Sequence, residues 1–342
     1  MHRFAVVINM RARKSRSSTI DMLSQHVDVE DIYITKTIEQ SDQSLDEIIR
    51  QRYPLVLCGG GDGTAMRIIE QVRKKVAKLN DAGGDYEIPR FGLLKLGTGN
   101  GWAGLLEMPS KVEPIWKLRQ LRSDELKFTK FNMIEAENRL FHFGGFGVDA
   151  MVLNEYIELK DNHPTGLMWK FSNSMLGYLY ATFLKAVPRV AIKDWKMKVR
   201  VYNNSDEPVY KIAHSTGPVD IYAKKGDLLF EGETLIAGVG TTENYGFNLK
   251  VYPYAGVKEG YMQLRLANVK VLSILPSVPV VWKGTWETEG LADFLVKDIT
   301  VESDEELPFQ LGGDPEGFRK KTRFTVSDFM PEVLDFRKVG AG

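Results

Sequence analysis

The stretch Leu55-Val56-Leu57-Cys58-Gly59-Gly60-Gly61-Asp62-Gly63-Thr64 decides how the rest of the chain is read. Leu55 to Cys58 has the length and composition of a buried strand. Three glycines follow, and Thr64 to Leu79 then carries a strongly helical pattern. A strand, a glycine turn and a helix in that order bring backbone N–H groups and a helix N-terminus to one point. That is an anion site, suited above all to phosphate. Glycine permits close approach of a ligand to the backbone and positive φ values. The plain alternative is a tight turn that holds nothing, but three successive glycines are entropically costly for a mere turn. Asp62 cannot donate to a phosphate; it can hold Mg²⁺ directly or through water, with the metal bridging phosphates. Thr64 can cap the helix or bond a phosphate oxygen. The stretch has no Gly-Lys-Ser/Thr ending and no G-x-G-x-x-G spacing, so it is neither a Walker A loop nor a dinucleotide fingerprint.

Upstream, Phe4 to Ile8 reads as a buried strand, Ser17 to Gln25 as a helix and Asp31 to Thr35 as a second strand. Ser44 to Arg50 reads as a helix with Leu45, Ile48 and Ile49 on its apolar side. Downstream, the strand Arg90 to Leu94 enters a second glycine turn, Leu96-Gly97-Thr98-Gly99-Asn100-Gly101-Trp102, with helices from about Trp102 and from Val112 to Leu121. Alternating strands and helices predict an α/β unit with a parallel sheet covered on both faces. Ligands of such sheets sit beyond the carboxyl ends of the strands. The two glycine turns, about 37 positions apart, both fall at that end and can face one crevice. Gly97, Thr98 and Asn100 then become candidates for a nucleotide's phosphate, sugar or base.

Near residue 126 the texture changes. Phe128 to Glu135, Arg139 to Phe143, Met197 to Tyr202, Tyr210 to Ala213, Leu235 to Val239, Tyr261 to Leu266 and Asp298 to Val301 are short strand-like runs separated by Gly, Asn, Asp and Pro. This predicts a mostly antiparallel β-sandwich or barrel. One helical island, Leu167 to Ala186, interrupts it. The expected division is residues 1–126 as an α/β nucleotide-binding domain and 127–342 as a β-rich substrate domain, whose C-terminal segment can return to the first.

Lys plus Arg and Asp plus Glu both number 45, which removes any global electrostatic case for nucleic acid or an anionic membrane. Two local basic clusters stand out, Arg11, Arg13, Lys14 and Arg16, and Arg319, Lys320, Lys321 and Arg323; runs of this kind are usually solvated surface. A single cysteine, Cys58, excludes internal disulfides and fits a reducing compartment. The five histidines have no metal-ligand spacing. The longest apolar run, Met175 to Leu184, is ten residues, against the ~20 a membrane span needs. The expectation is a cytoplasmic protein, soluble or peripheral to a membrane. Oligomeric state has no reading in the sequence.

Taken together, GGGDGT after one strand and LGTGN after the next resemble the diacylglycerol kinase catalytic family, which includes bacterial lipid kinases, sphingosine kinases and ceramide kinases. The opening strand ending at Asn9 is similar to the family's first nucleotide-contacting strand. Thr37, five positions before Asp42, falls where the family has a nucleotide-contacting Thr, with Thr35 as the alternative. Gly144 to Ala150, GGFGVDA, is similar to the glycine-rich opening of the family's second domain. The stretch from Pro253, PYAGVKEGYMQLRL, resembles Pro-x-Ala-x-x-x-Asp-Gly followed by a strand. Gly313-Asp314-Pro315-Glu316 stands where the family has Asp-Gly-Glu. The resemblance covers essentially the whole chain in order.

The resemblance implies an ATP- and Mg²⁺-dependent kinase acting on a lipid hydroxyl of the diacylglycerol, sphingoid or ceramide kind. Asn9, Thr37, Gly59 to Thr64, Gly97, Thr98 and Asn100 would bind the nucleotide. Asp62 would organise the metal. Glu316, with Asp314 close behind, would accept the hydroxyl proton. Glu259 with the carbonyls of Gly256 and Tyr261 would hold a second, structural Mg²⁺. Departures fall at the N-terminal motif, Asn9-Met10-Arg11-Ala12-Arg13, where Lys14 and Ser15 are partial substitutes. They fall also at Gly101, which replaces a carboxylate, at Glu259 in place of Asp, and at Pro315, which fixes φ and lacks an N–H. The amphipathic island Leu167 to Ala186, with Trp169, Phe171 and Tyr178, can pack in the core or lie at a lipid interface. Two other readings compete. One is an NAD kinase-like enzyme, which shares a GGDG loop; the other is a nucleotide- or lipid-binding protein without catalysis, which the departures favour.

Overall fold

The computed structural model describes residues 3–12, 14–15, 17–97, 100–110, 112–121, 125–151, 153, 195–213, 217–245, 249–270 and 274–339. The chain divides into two compact units, Met1–Phe131 with Met330–Gly342, and Asn132–Phe329.

In the first unit, strands β1 (Ala5–Asn9), β2 (Ile32–Thr35), β3 (Leu55–Gly60), β4 (Arg90–Lys95) and β5 (Phe128–Lys130) alternate with helices α1 (Ser17–Ser24), α2 (Ile38–Arg50), α3 (Asp62–Asp81), α4 (Gly101–Leu105) and α5 (Glu113–Gln120). All six residues of β3 are buried, as a strand covered on both faces requires. Helix α2 buries Leu45, Ile48 and Ile49, and α3 buries Ala65, Met66, Ile68, Ile69, Val72 and Val76, in the three-to-four-residue spacing that makes one apolar face. β1 runs parallel to both β2 and β3, and β3 is parallel to β4. The first crossover from β1 therefore goes one way and the return to β3 goes the other. That reversal opens a crevice at the carboxyl ends of β1 and β3, where Asn9 and Gly59–Gly60 lie.

In the second unit the strands are β6 (Ile134–Ala136), β7 (Arg139–Phe141), β8 (Phe143–Gly147), β9 (Met197–Asn203), β10 (Val209–Ala213) and β11 (Gly217–Ile221). They continue with β12 (Leu228–Thr234), β13 (Ile236–Gly240), β14 (Met262–Ala267), β15 (Leu291–Val296), β16 (Asp298–Leu311) and β17 (Asp314–Val326). A last strand, β18 (Glu332–Leu334), belongs to the first unit and gives its sheet the order β2-β1-β3-β4-β18-β5. The twelve strands of the second unit, among the described residues, form one connected antiparallel sheet. Its inner side chains, among them Phe146, Val199, Val239, Leu264, Phe309 and Phe324, gather in one core. Helix α6 (Val278–Lys283) precedes β15. The predicted island Leu167 to Ala186 lies outside the described residues. Among the described residues no helix is long and apolar enough to cross a membrane.

Several strands have no counterpart in the sequence reading. Gly144 to Ala150 stands there only as the glycine-rich opening of the second domain, yet Phe143–Gly147 is the fully buried strand β8. A Cβ on Gly145 would come within 2.7 Å of Gly238 Cα, and one on Gly147 within 2.8 Å of Ile236 Cα, while φ is +146° and +134°. Glycine is demanded here by backbone crowding and by φ, and neither leaves an apolar pattern to read.

Candidate active site

The first glycine turn is tighter than its sequence suggests. Gly59 and Gly60 complete β3, and α3 already begins at Asp62. None of Gly59, Gly60, Gly61 and Gly63 has positive φ, so the expected role of glycine in supplying that conformation is corrected. Close approach is what Gly59 and Gly60 supply, and Gly97 in the second turn with them. A Cβ on Gly59 would stand 2.9 Å from Val7 O, and one on Gly60 2.5 Å from Thr64 Cβ. A Cβ on Gly97 would stand 2.8 Å from Gly61 N. The two glycine turns thus meet backbone to backbone at Gly61 and Gly97.

Gly63 is different. A Cβ there meets nothing within 4 Å. Gly61 caps α3 with no side-chain hydrogen bond, so the first-turn N–H groups have no side-chain acceptor. A long helix with an uncapped N-terminus, open at Gly63 in its first turn, has the features of an anion cradle.

Around this turn the side chains are held by named bonds. Asn9 Nδ2 donates to Thr64 Oγ1 at 3.0 Å, and Asn9 Oδ1 accepts from Arg11 N at 2.9 Å. Thr35 is buried, and its hydroxyl donates to Ile8 O at 3.1 Å. Thr37 is exposed and N-caps α2, accepting from Gln40 N at 3.2 Å. Asn9, Arg11, Thr37, Ser41, Thr64 and Arg67 line a cleft of ≈ 610 Å³, part of it open to solvent. Arg67 shares a 3.7 Å ion pair with Asp42. Its presence in the cleft was missed from sequence. The available signal was its place three residues after Thr64, on the same helix face.

Asp62 reaches the second turn. Its Oδ2 accepts from Gly101 N at 2.7 Å and its Oδ1 from Trp102 N at 3.2 Å. Burial pushes this carboxyl upward; the N–H groups of Gly101, Trp102 and Ala103 pull it back, and the net direction is up. An ionised carboxylate has about four lone-pair sites, so these bonds leave capacity for a metal or its water. Asn100, at φ +46°, closes its own turn: Oδ1 accepts from Gly97 N at 3.1 Å and Nδ2 donates to Gly97 O at 2.8 Å. Thr98 lies outside the described residues. Lys14 N donates to Leu96 O at 3.0 Å, and the ammonium of Lys95 is pulled below its ordinary range by burial and by neighbouring Lys14. The second turn is therefore flanked by positive charge.

In the second unit, Asp314 and Glu316 do not form the turn that Asp-Pro-Glu-Gly suggests. They begin β17, and the turn is Gly312–Gly313, with φ of +62° and +87°. Two positions apart in an extended strand, they share one face. Glu316 Oε1 accepts from Arg139 at 2.8 Å, and the Glu316 carbonyl accepts from Arg319 at 2.9 Å. The loop carrying Glu259 turns at Gly256, φ +81°, and Gly260, φ +75°. Gln263 Oε1 accepts from Tyr254 N at 2.8 Å, and Asn132 Oδ1 accepts from Gly260 N at 3.2 Å. Glu259 itself is exposed. Among the described residues no cluster of three or more His, Cys, Asp or Glu is arranged to hold a metal ion. What this loop offers is one carboxylate with carbonyls, an oxygen-only set that suits a hard cation retaining waters.

Residues 3–132 match the profile of the diacylglycerol kinase catalytic domain. Over 313 residues the chain is 23% identical to a Serratia proteamaculans (strain 568) protein named "Probable lipid kinase YegS-like", covering 90% of this chain and 84% of that one. A protein of the same name from Yersinia pseudotuberculosis serotype I (strain IP32953) is 22% identical over 312 residues, covering 90% and 86%. The crystal structure of a diacylglycerol kinase from Bacillus anthracis str. Sterne superposes with a TM-score of 0.59 at 13% identity, covering 99% of this chain and 98% of that one, a likeness of fold. The likeness to the diacylglycerol kinase catalytic domain thus spans residues 3–132, which include the strand ending at Asn9 and both glycine turns.

Proposed function

We propose that this protein transfers the γ-phosphate of ATP to a hydroxyl of a diacylglycerol-, sphingoid- or ceramide-like lipid, taken from a membrane that it meets peripherally. The observation that carries the reading is the first turn of α3. Gly63 has no packing reason to be glycine, since a Cβ there meets nothing within 4 Å, and glycine in a helix costs about 1 kcal/mol relative to alanine. Room for a phosphate against uncapped N–H groups supplies the reason.

In this reading the N–H groups at Gly61 to Thr64 hold the phosphate tail. Asn9 and Thr37 bound the cleft beside it, and Gly97 and Asn100 shape the facing turn. Asp62 holds that turn through Gly101 and keeps lone pairs for Mg²⁺ or its water. Glu259 with the carbonyls of Gly256 and Tyr261 would hold a second Mg²⁺. When bound, the ion neutralises phosphate charge. Glu316 accepts the proton of the attacking hydroxyl, with Asp314 on the same strand face as the supporting carboxylate. Positioning and charge neutralisation carry most of a phosphoryl transfer.

Incubating the pure protein with labelled ATP, Mg²⁺ and separate diacylglycerol, monoacylglycerol, ceramide, sphingoid base and NAD acceptors tests this. Label in a lipid is expected. Label only in NAD, or bound ATP with label in no acceptor, overturns it.

A further inference from the structure

A buried polar chain in the second unit ends on the turn that starts β17. Gln310 has no exposure to solvent. Its Oε1 accepts from Gly313 N at 3.0 Å. A backbone N–H can only donate, so the amide oxygen must face the turn and the NH₂ must face the other way. There its Nε2 donates to Asp149 Oδ2 at 3.1 Å, and the same oxygen accepts from Tyr245 OH at 3.1 Å. Tyr245 is packed on Phe143, with ring centroids 4.3 Å apart. The neighbours of Gln310 on β16, Phe309 and Leu311, are core residues. Burying an amide and a carboxylate beside such a core is unfavourable unless their bonds achieve something an apolar pair would not. Burial pushes the Asp149 carboxyl upward, against the pull of Gln310, the Ala150 N–H and Tyr245.

The hairpin does not need this chain to close. Gly312 N already donates to Phe143 O at 2.7 Å, and the two glycines supply the left-handed φ values. What the chain adds is a fix on the Gly313 N–H, one residue before Asp314. In an extended strand the direction set there is inherited by Glu316, two residues further on.

We infer that Asp149 and Gln310 are positioning residues, a two-link relay from Tyr245 to Gly313 that aims Asp314 and Glu316 from inside the second unit. The relay rests on the reading of those two carboxylates as the proton-accepting pair. Its effect belongs on turnover, not on nucleotide affinity.

The test uses the full chain and its Gln310→Leu, Asp149→Ala and Asp149→Asn variants. Each is assayed with labelled ATP against dioleoylglycerol and sphingosine in detergent micelles, and hydrogen exchange is followed at the Gly313 amide. Gln310→Leu and Asp149→Ala should lose ~10–100-fold in kcat with the KM for ATP unchanged, the scale of a misplaced catalytic group. Both should exchange faster at Gly313. Asp149→Asn keeps an acceptor oxygen for both donors and should stay within about threefold of the parent in kcat. Parental kcat and parental Gly313 exchange in Gln310→Leu overturn the relay. If Gln310→Leu does not fold, equal kcat in Asp149→Ala and Asp149→Asn overturns it. If the parent labels no lipid, the lipid-kinase reading fails by itself. The relay then stands or falls on whether Gly313 exchange rises in the variants.

Discussion

The Asp62 carboxylate, in the first turn of α3, accepts the N–H of Gly101, the first residue of α4, at 2.7 Å. One side chain of the first glycine turn therefore caps the helix that leaves the second. Asp62→Asn keeps the shape but offers one acceptor oxygen, and turns an NH₂ toward a main-chain N–H. Charge-assisted bonds of this kind are worth about 1.5–3 kcal/mol each, and a stranded buried donor adds to the loss. The variant should be measurably less stable in urea unfolding and should lose ~100-fold or more in turnover, since the same group serves the metal in the proposed mechanism. Parental stability together with parental turnover would remove both roles.

Gly63 and Gly97 make opposite predictions. Alanine at Gly63 meets nothing and improves helix propensity, so stability should rise by about 0.5–1 kcal/mol. Its methyl occupies the space assigned to phosphate, so ATP affinity should fall about tenfold or more. Alanine at Gly97 must displace Gly61, whose N would lie 2.8 Å from the new Cβ, and should destabilise by about 1–3 kcal/mol. Thermal melts and calorimetric ATP titration of both variants decide this. A Gly63→Ala protein that binds ATP like the parent would leave the cradle without support.

The parallel sheet was legible because Leu55 to Cys58 is an unbroken apolar run and because α3 keeps its apolar spacing from Ala65 to Val76. What escaped is where side chains follow a neighbour instead of a period. In β14 all six residues are buried, so Gln263 and Arg265 sit inside, both bonded to Asp293 of the adjoining β15. An Arg between two leucines reads as an outward face, and only the partner strand reveals its counter-charge. The basic run at Arg319, Lys321 and Arg323 reads as solvated surface, and Lys321 and Arg323 are exposed; what the run does not reveal is that it lies in β17 and pairs with Glu137, Glu302 and Asp298. In the candidate site the glycine turns were visible in advance. Arg67 beside the first turn was not, since it depends on a helix face, and in the second unit the Arg139–Glu316 pair was not, since it joins distant parts of the chain.

Glu316 carries the most exposed part of the chemical proposal. Glu316→Gln keeps a carbonyl oxygen that can accept from Arg139 and so preserves the 2.8 Å contact in shape, while removing the capacity to take a proton. A loss of ~100-fold or more in kcat is expected, with ATP affinity unchanged, because a general base contributes on that scale only in the transition state. Steady-state kinetics with a lipid acceptor, run beside Asp314→Asn, separates the two carboxylates. If Asp314→Asn is the silent one, Glu316 is the base; if Glu316→Gln is silent, the assignment passes to Asp314.

His142 sets a pH dependence that has nothing to do with catalysis. It is 2% exposed, and burial lowers its pKa to about 4 from an ordinary 6.5. The unfolded chain therefore takes up the proton first. The stability His142 permits is fully present above pH ~6.5 and is lost as pH falls toward ~4, reaching about 2 kcal/mol lost at pH 5. Asp298 and Asp335 are pushed up by burial but pulled further down by Arg323 and Arg337, so they titrate below the ordinary carboxylate range, lower than most of this window. Asp62 and Asp149, raised by burial, oppose the trend. The clean measurement is thus a difference: urea unfolding of the parent and of His142→Met at pH 7 and pH 5. The parent should lose about 2 kcal/mol more than the variant between the two. Equal losses would mean that His142 takes its proton in the folded protein as readily as in water.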